Sequence, residues 1–424
     1  LGFFPSISGA WIISNEAFMR NALIVSNLKL RAGYGLAGNS GGIDSYMSMN
    51  LLAPNGIAPV GDEAVVTLGS PRNTNPNLKW EVKRAFNVGL DIAFWENRIA
   101  FSIDYYRSKT TDMLYVYDVS VPPFTYDKLL ANLGKMENSG VEFSLTYRNR
   151  DHALKHEISA NLSTLKNKVT SLGFGTEQYI TGAYITKVGE EVGKFYGWDY
   201  QGIIRTQDQL DQLNATAQAN GFTEYQAGAQ VGDCYYRDVN GDGQITADDQ
   251  TVLGSGLPKI SFGLSAHLEY SIFDMSISTF GALNYHVTDY LYNTMNSSYG
   301  YGNKHVNVLG ANQWDGGTYV SNVPRTYLSN LGTLAWNDLF SERQIQNAAY
   351  WKIANIEIGA NLPNKWFGGY VTGVRLYVSA QNLYTFSGYK GYNVDYAGGT
   401  FTPGYNYCSY PTPRSFMAGL NFTF

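Results

Sequence analysis

Alternation of apolar and polar residues with a period of two is the feature that most constrains the fold of this chain. Segment 141–148 reads Val-Glu-Phe-Ser-Leu-Thr-Tyr-Arg, so that every second side chain is apolar. Successive side chains of a strand point to opposite faces, and such a segment therefore predicts a strand with one apolar and one polar face. The pattern recurs in segments 86–94, 260–270 and 416–424. Together these segments predict an all-β protein.

The alternating segments predict about eleven strands, separated by turns and loops of regularly alternating length. The strands are expected near residues 4–12, 27–36, 84–95, 98–107, 139–149, 154–165, 259–270, 272–284, 350–362, 371–386 and 414–424. Tight turns are expected at 95–98, 149–152 and 271–274, and long loops at 37–83, 108–138, 166–258, 285–349 and 387–413. Short turns at one end and long loops at the other are typical of a transmembrane antiparallel β-barrel in the outer membrane. A short loop helix is expected at 207–220.

The composition agrees with a barrel in lipid. Aromatic residues make up 15% of the chain, as expected where Tyr, Trp and Phe form girdles at the two membrane interfaces. Charged residues are also 15%, and the net charge of −5 argues against a nucleic-acid partner, because no basic surplus exists to neutralise phosphates. Two alternatives from other classes are a soluble β-sandwich that binds carbohydrate and an outer-membrane barrel enzyme. We expect no enzyme, since no nucleophile or metalloprotease motif is found.

The odd strand count predicts that residues 1–424 form only the C-terminal half of a barrel. Complete bacterial barrels have an even number of strands, and an open edge in lipid leaves backbone groups unpaired. About eleven strands of a 22-stranded, plugged transporter barrel satisfy this parity. The plug and the N-terminal strands are then expected before Leu1.

Segment 238–249 has the spacing of an EF-hand-like calcium loop, with Asp at its twelfth position. Ca²⁺ is a hard cation that takes six to eight oxygen ligands, and alternate acidic and amide side chains supply them. We predict a structural Ca²⁺ that pins an extracellular loop insertion over 195–258; the alternative is a polar turn without an ion. The predicted ligands are Asp238, Asn240, Asp242, the carbonyl of Gln244, and Asp249.

The long loops are rich in Tyr and Trp, whose flat faces and neighbouring amides suit sugar rings or peptides. The alternative is that these rings pack the loops together or contact a partner protein. The candidate ligand-binding residues are Tyr299, Tyr301, Trp314, Tyr319 and Trp336.

Two cysteines fall in predicted extracellular loops. An oxidising location permits a bridge between Cys234 and Cys408, and two free thiols are equally compatible with the sequence.

Several stretches resemble, in the same order, those of SusC/RagA-like TonB-dependent outer-membrane transporters. The resemblance covers essentially the whole chain. The stretches are Phe-Phe-Pro-Ser-Ile-Ser-Gly-Ala-Trp at 3–11, Asn-Pro-Asn-Leu-Lys-Trp-Glu at 75–81, Val-Gly-Glu-Glu-Val-Gly-Lys-Phe-Tyr-Gly at 188–197, Gln-Asn-Leu-Tyr-Thr-Phe at 381–386 and Gly-Leu-Asn-Phe-Thr-Phe at 419–424.

The resemblance implies active, TonB-dependent import of large nutrients, mostly oligosaccharides and in some members peptides. It implies a SusD-like surface lipoprotein that caps the barrel, TonB contact through the N-terminal plug region, and a dimer of transporter–lipoprotein pairs. The family's location is the outer membrane. The resemblance does not identify which oligosaccharide or peptide is imported.

Overall fold

The computed structural model describes residues 2–297, 303–326, 336–367, 371–395 and 398–424. Two compact units are present. The first contains residues 1–149, 161–179 and 187–191, and the second contains 150–160, 180–186 and 192–424.

The described residues are mostly β-strand. The strands are β1 (Ser6–Ile12), β2 (Val25–Asn39), β3 (Ala53–Val60), β4 (Glu63–Gly69), β5 (Glu81–Phe94), β6 (Ile99–Asp118), β7 (Lys128–Asn149), β8 (Leu154–Thr164), β9 (Lys166–Ser171), β10 (Gln178–Thr181), β11 (Tyr184–Lys187), β12 (Lys194–Trp198), β13 (Tyr200–Ile203), β14 (Cys234–Tyr236), β15 (Gln250–Ser255), β16 (Ile260–Tyr270), β17 (Phe273–Leu283), β18 (His286–Asp289), β19 (Trp314–Asp315), β20 (Thr318–Tyr319), β21 (Ile345–Asn347), β22 (Tyr350–Leu362), β23 (Gly373–Ser387), β24 (Tyr405–Asn406) and β25 (Ser415–Thr423). The α-helices are α1 (Gln207–Ala219) and α2 (Tyr290–Asn296). Across the described residues, no helix is long and apolar enough to span a bilayer.

The first unit is built on an antiparallel sheet in the order β1-β2-β5-β6-β7, with β9 also pairing with β7. A tight turn joins β5 to β6. Strands β3 and β4 form a separate hairpin. Trp95, Glu96 and Asn97 take positive φ in the four-residue turn, 95–98, between β5 and β6.

The second unit is built on an antiparallel sheet in the order β16-β17-β22-β23-β25. Smaller sheets form within its long connections. β12 pairs with β15, β13 pairs with β14, and β18 lies between β21 and β24. The pairing of β18 with β24 is parallel, which joins two connections that lie more than 100 residues apart in the chain.

The apolar faces of the large strands are exposed. On β23 and β25, Leu376 is 45% exposed, Val378 56%, Leu420 48% and Phe422 51%. Leu376 pairs directly with Leu420, and Val378 with Ala418, so that the exposed apolar side chains of the two strands lie side by side. Exposed apolar surface of this extent is the expected outer face of a sheet in lipid.

The opposite faces carry charges that pair across strands. In the first unit, Arg31 Nε lies 2.8 Å from Asp91 Oδ2, and its Nη2 lies 2.9 Å from Asp104 Oδ2. In the second unit, Arg375 pairs with Asp274 and, at 2.7 Å, with Glu357. These charged side chains thus neutralise one another across neighbouring strands.

All eleven predicted strands are present, and so is the loop helix, as α1. The prediction of a long loop over 108–138 is wrong for most of that range, because β6 continues to Asp118 and β7 begins at Lys128. The pairing is interrupted between Thr110 and Met113, where the register shifts. Beyond that irregularity the strands continue as an extended hairpin.

Candidate functional site: the long connections of the second unit

A cluster of buried side chains, which we call the loop core, organises the connection from β12 to β15. It packs one face of α1 against two short strands. Its members are Ala217, Tyr225, Cys234, Tyr236, Ile245 and Trp336. The helix begins at Gln207, and the hydroxyl of the preceding residue, Thr206, caps it by accepting a hydrogen bond from Gln209 N at 3.2 Å. The long connection therefore has a hydrophobic centre of its own.

A buried ion pair closes one side of the loop core. Arg325 Nε lies 2.6 Å from Asp233 Oδ1 and Arg325 Nη2 lies 2.9 Å from Asp233 Oδ2, a two-pronged contact. Asn337 donates to Asp233 Oδ1 at 2.9 Å and accepts from Cys234 N at 2.7 Å. Because Asp233 is only 3% exposed, its charge needs these partners to be tolerated inside the protein.

The two cysteines are both free thiols, which decides between the alternatives that the sequence left open. Cys234 lies in the loop core, and Cys408 is exposed. Arg343 Nη1 lies 3.0 Å from Cys234 Sγ. Burial nevertheless raises the pKa of the Cys234 thiol to about 12, so the group is protonated at neutral pH.

The predicted calcium loop folds as a series of side-chain-capped turns. Asp238 accepts hydrogen bonds from Gly241 N at 2.6 Å and Gly243 N at 2.7 Å, and Asp242 accepts from Gln244 N at 2.8 Å. Gly243 has φ +92°, a conformation that a side chain would strain. The sharp turn that the motif requires is thus present.

Asp249 has a structural role in this loop. It is fully buried, and its carboxylate accepts from Val239 N at 2.9 Å, Asn240 N at 3.3 Å and Thr246 N at 2.8 Å. The twelfth position of the motif therefore ties the two ends of the loop together.

The oxygen donors of the loop have the chemistry that Ca²⁺ prefers. Their arrangement is less favourable, because within the described ranges no three His, Cys, Asp or Glu side chains converge on a point where they could hold a metal ion. The carboxylates instead accept backbone N–H groups. Calcium therefore stays a prediction.

The candidate ligand-binding rings lie in three different settings. Tyr299 and Tyr301 lie outside the described residues. Trp314 is 50% exposed, with its ring edge-on to Tyr319 at 5.2 Å. Tyr319 is fully buried and donates its hydroxyl to Val323 O at 2.6 Å.

Trp336 is 4% exposed and donates Nε1–H to Ala227 O at 2.9 Å. The structure therefore assigns Tyr319 and Trp336 to internal packing, the alternative that the sequence had left open. Of the described candidates, Trp314 has a ring face available to a ligand.

A second group of tyrosines is exposed in the same unit and was not among the candidates. The rings of Tyr290 and Tyr407 lie 4.8 Å apart, and those of Tyr405 and Tyr407 are stacked at 6.3 Å. Tyr290 begins α2, whereas Tyr405 and Tyr407 belong to the connection before β25. Because their proximity depends on the parallel pairing of β18 with β24, no local pattern in the sequence indicates it.

Comparison with known proteins decides the family. Residues 2–284 match the sequence model of the family described as TonB dependent receptor-like, beta-barrel. The chain belongs to this family. The TonB-dependent receptor P26 of Formosa agariphila is 33% identical over 446 residues, which cover 100% of this chain and 42% of that protein. The TonB-dependent receptor SusC of Bacteroides thetaiotaomicron is 28% identical and aligns with 100% of this chain and 40% of its own length.

A solved structure described as the RagAB peptide transporter has the same fold, with a TM-score of 0.79 and 24% identity. The match covers 99% of this chain and 43% of that one. The chain is therefore an outer-membrane β-barrel protein of this family, which confirms the predicted resemblance to SusC/RagA-like transporters, and the soluble β-sandwich alternative is wrong. The chain spans about two fifths of the length of the relatives it matches.

Proposed function

We propose that this TonB-dependent receptor supplies the C-terminal part of the barrel wall of a transporter that imports oligosaccharides across the outer membrane. The observation that carries the proposal is the opposition of the two strand faces. One face is apolar and exposed at Val378 and Leu420, and the other holds paired charges at Arg375 and Arg31. Paired charges need a wet or protein-filled interior, and a plugged transporter provides one.

We propose that a SusD-like lipoprotein, TonB and a second transporter–lipoprotein pair complete the assembly. The support for a lipoprotein partner is the loop core with its ion pair, which gives the connection from β12 to β15 a hydrophobic centre on which a fixed contact surface can be built. TonB would act through a plug supplied by the remainder of the transporter. The receptor binds and releases its cargo without covalent chemistry.

We further propose one structural Ca²⁺ in the loop 238–249. Asp238, Asn240, Asp242 and Asp249 with the Gln244 carbonyl would hold it. The support is the all-oxygen donor set on turns that Gly243 makes possible.

Peptides are the alternative cargo, because the RagAB structure of the same fold is described as a peptide transporter. At 24% identity that likeness concerns the fold, so the choice of cargo needs an experiment. Deletion of the gene in its native host should abolish growth on a polysaccharide as sole carbon source and leave growth on peptides unchanged. Loss of growth on peptides alone would overturn the oligosaccharide proposal.

Import itself is tested by uptake of fluorescein-labelled oligosaccharides with and without a protonophore. We expect uptake to stop when the proton gradient is dissipated. Affinity purification in mild detergent should recover a surface lipoprotein. Uptake that is independent of the gradient would contradict a TonB-driven mechanism.

A further inference from the structure

A cavity of about 440 Å³ lies beside α2 in the second unit. Its size is in the range of small-molecule binding sites and accommodates one or two sugar rings. Its aromatic and polar lining residues include Tyr290, Tyr405, Asn293, Thr288 and Asp338. The described candidates Trp314, Tyr319 and Trp336 are not among its described lining residues.

Two tyrosines, Tyr290 and Tyr405, line this cavity, and Tyr407 lies next to both rings without being one of the lining residues. Tyr290 is 43% exposed and Tyr407, which lies against it, is 61% exposed. Tyr405 stacks with Tyr407 at an interplanar angle of 28° and packs edge-on against Tyr184. The buried hydroxyl of Tyr184 has no hydrogen-bond partner among the described residues. Exposed, adjacent ring faces provide flat apolar area with polar edges.

The polar groups of the cavity are almost all neutral. Asn293 uses its Nδ2 to donate to Thr288 Oγ1 at 2.9 Å and to Gln344 O at 3.3 Å. Asp338, which accepts from Ser297 at 3.2 Å, is the one charged side chain among the ten described residues that line the cavity. A ligand that carries a carboxylate or sulfate would be repelled by this negative charge.

We propose that this cavity is a binding subsite for a neutral pyranose unit, with Tyr290, Tyr405 and Tyr407 as its stacking surface and Asn293 and Asp338 as its hydrogen-bonding groups. A pyranose presents a flat C–H face to aromatic rings and hydroxyls at its edge, which matches a surface of rings bordered by an amide and a carboxylate. The inference rests on the proposed import of oligosaccharides and assigns that cargo a contact point on this chain.

Asp289 is the positioning residue of this subsite. It is 4% exposed and caps α2, accepting from Tyr292 N at 2.8 Å, which fixes the turn that carries Tyr290 and Asn293. Its other oxygen accepts from the hydroxyl of Tyr389 and, at 3.4 Å, from Asn406 Nδ2. Asn406 lies between Tyr405 and Tyr407. One buried carboxylate thus connects both chain segments that carry the rings.

A second cavity in the same unit provides a contrast. It is lined by Lys352, Asp395 and Arg414 together with Tyr392, which is 67% exposed. Lys352 Nζ lies 2.9 Å from Asp395 Oδ2. Tyr392 is thus an exposed tyrosine in a cavity lined by charged side chains. Tyr392→Ala removes one exposed ring outside the proposed subsite and is therefore a matched control.

The experiment measures glycan binding by the full-length receptor in detergent. Immobilised neutral, uronate-containing and sulfated oligosaccharides are presented beside a panel of peptides, and Kd is then measured by calorimetry for the glycan bound best. We expect the ligand that binds most tightly to be a neutral glycan. The double variant Tyr290→Ala/Tyr407→Ala should raise its Kd about tenfold, whereas Tyr290→Phe and Tyr392→Ala should leave it unchanged. Asp289→Ala should raise Kd although it removes no contact with the sugar.

The outcomes separate this inference from the import proposal. Binding only to acidic glycans or peptides, no glycan binding, or equal Kd values for wild type and the double variant would overturn the subsite. If only acidic glycans bind, or if the two Kd values are equal, gradient-dependent uptake of oligosaccharides can persist, and the import proposal then stands. Binding of peptides alone, or no glycan binding, would count against both. If uptake instead fails while the neutral glycan still binds through Tyr290 and Tyr407, the import proposal falls and the subsite stands.

Discussion

Arg325 and Asp233 are 92 residues apart in the chain and form a two-pronged ion pair with a shortest N–O distance of 2.6 Å. Asp233 is almost fully buried, and the pair closes the loop core of the second unit. Removing one partner leaves an uncompensated buried charge, which costs more than the pair contributes.

Arg325→Ala should therefore destabilise the loop core by about 3 kcal/mol. We expect faster proteolytic cleavage within 207–258 while the barrel keeps its heat-modifiable migration on gels. Arg237→Ala is the matched control, because Arg237 pairs with Asp199 at 2.7 Å but its side chain is 56% exposed. Equal proteolysis of the two variants would contradict a structural role for the buried pair.

The calcium proposal predicts that removal of the ion loosens residues 195–258 without unfolding the barrel. Asp238→Ala/Asp242→Ala should increase proteolysis of this loop to the level that wild type shows in chelator. Asp248→Ala provides the control, since Asp248 is exposed and does not occupy a ligand position of the motif. If the loop is cleaved at the same rate with Ca²⁺ and with chelator, the calcium proposal is wrong.

Burial of Cys234 predicts selective alkylation. At pH 8 iodoacetamide should modify the exposed Cys408 and leave Cys234 unmodified until the protein is denatured. The measurement is mass spectrometry of the two tryptic peptides. Rapid modification of Cys234 in the native protein would show that the loop core opens readily.

The same burial predicts loss of stability in alkali. Folding raises the pKa of Cys234 to about 12, whereas an unfolded thiol titrates near 8.5. The unfolded state then loses its proton first, so the stabilising contribution is complete below about pH 8.5 and is lost as the pH rises towards 12. Burial also raises the pKa of Tyr236 in the loop core, which acts in the same direction. In Cys234→Ala the decline in loop stability with rising pH should be shallower, as measured by proteolysis at pH 8 and pH 10.

The strands could be predicted because their signal is local. Segment 141–148 alternates apolar and polar residues, and this pattern alone places it on a two-faced strand. The extension of β6 to Asp118 was missed because the register shift between Thr110 and Met113 interrupts the alternation. The motif 238–249 was likewise visible, since its spacing lies within one loop.

The candidate site was harder to predict because its contacts are between distant segments. Tyr319 and Trp336 are residue types expected on a ligand-binding surface. In the structure both are buried and hydrogen-bonded internally, to Val323 O and Ala227 O, and no sequence pattern predicts these contacts. Tyr290 and Tyr407 are brought together by pairing between short strands of separate connections. Aromatic residues in long loops are thus ambiguous until the packing is known.

The central claim is that the strands have one face in lipid and one face in a polar interior. Val378 pairs with Ile358 and Ala418 on the apolar face, and Ser276 pairs with Glu357 and His267 on the polar face. The most direct measurement is electron paramagnetic resonance of nitroxide labels at Val378→Cys and at Ser276→Cys in the full-length receptor, reconstituted in vesicles after Cys408→Ser replacement. The label at position 378 should be accessible to oxygen and protected from a water-soluble nickel complex, with the reverse at position 276. Labels that are equally accessible to the nickel complex at both positions would contradict the account.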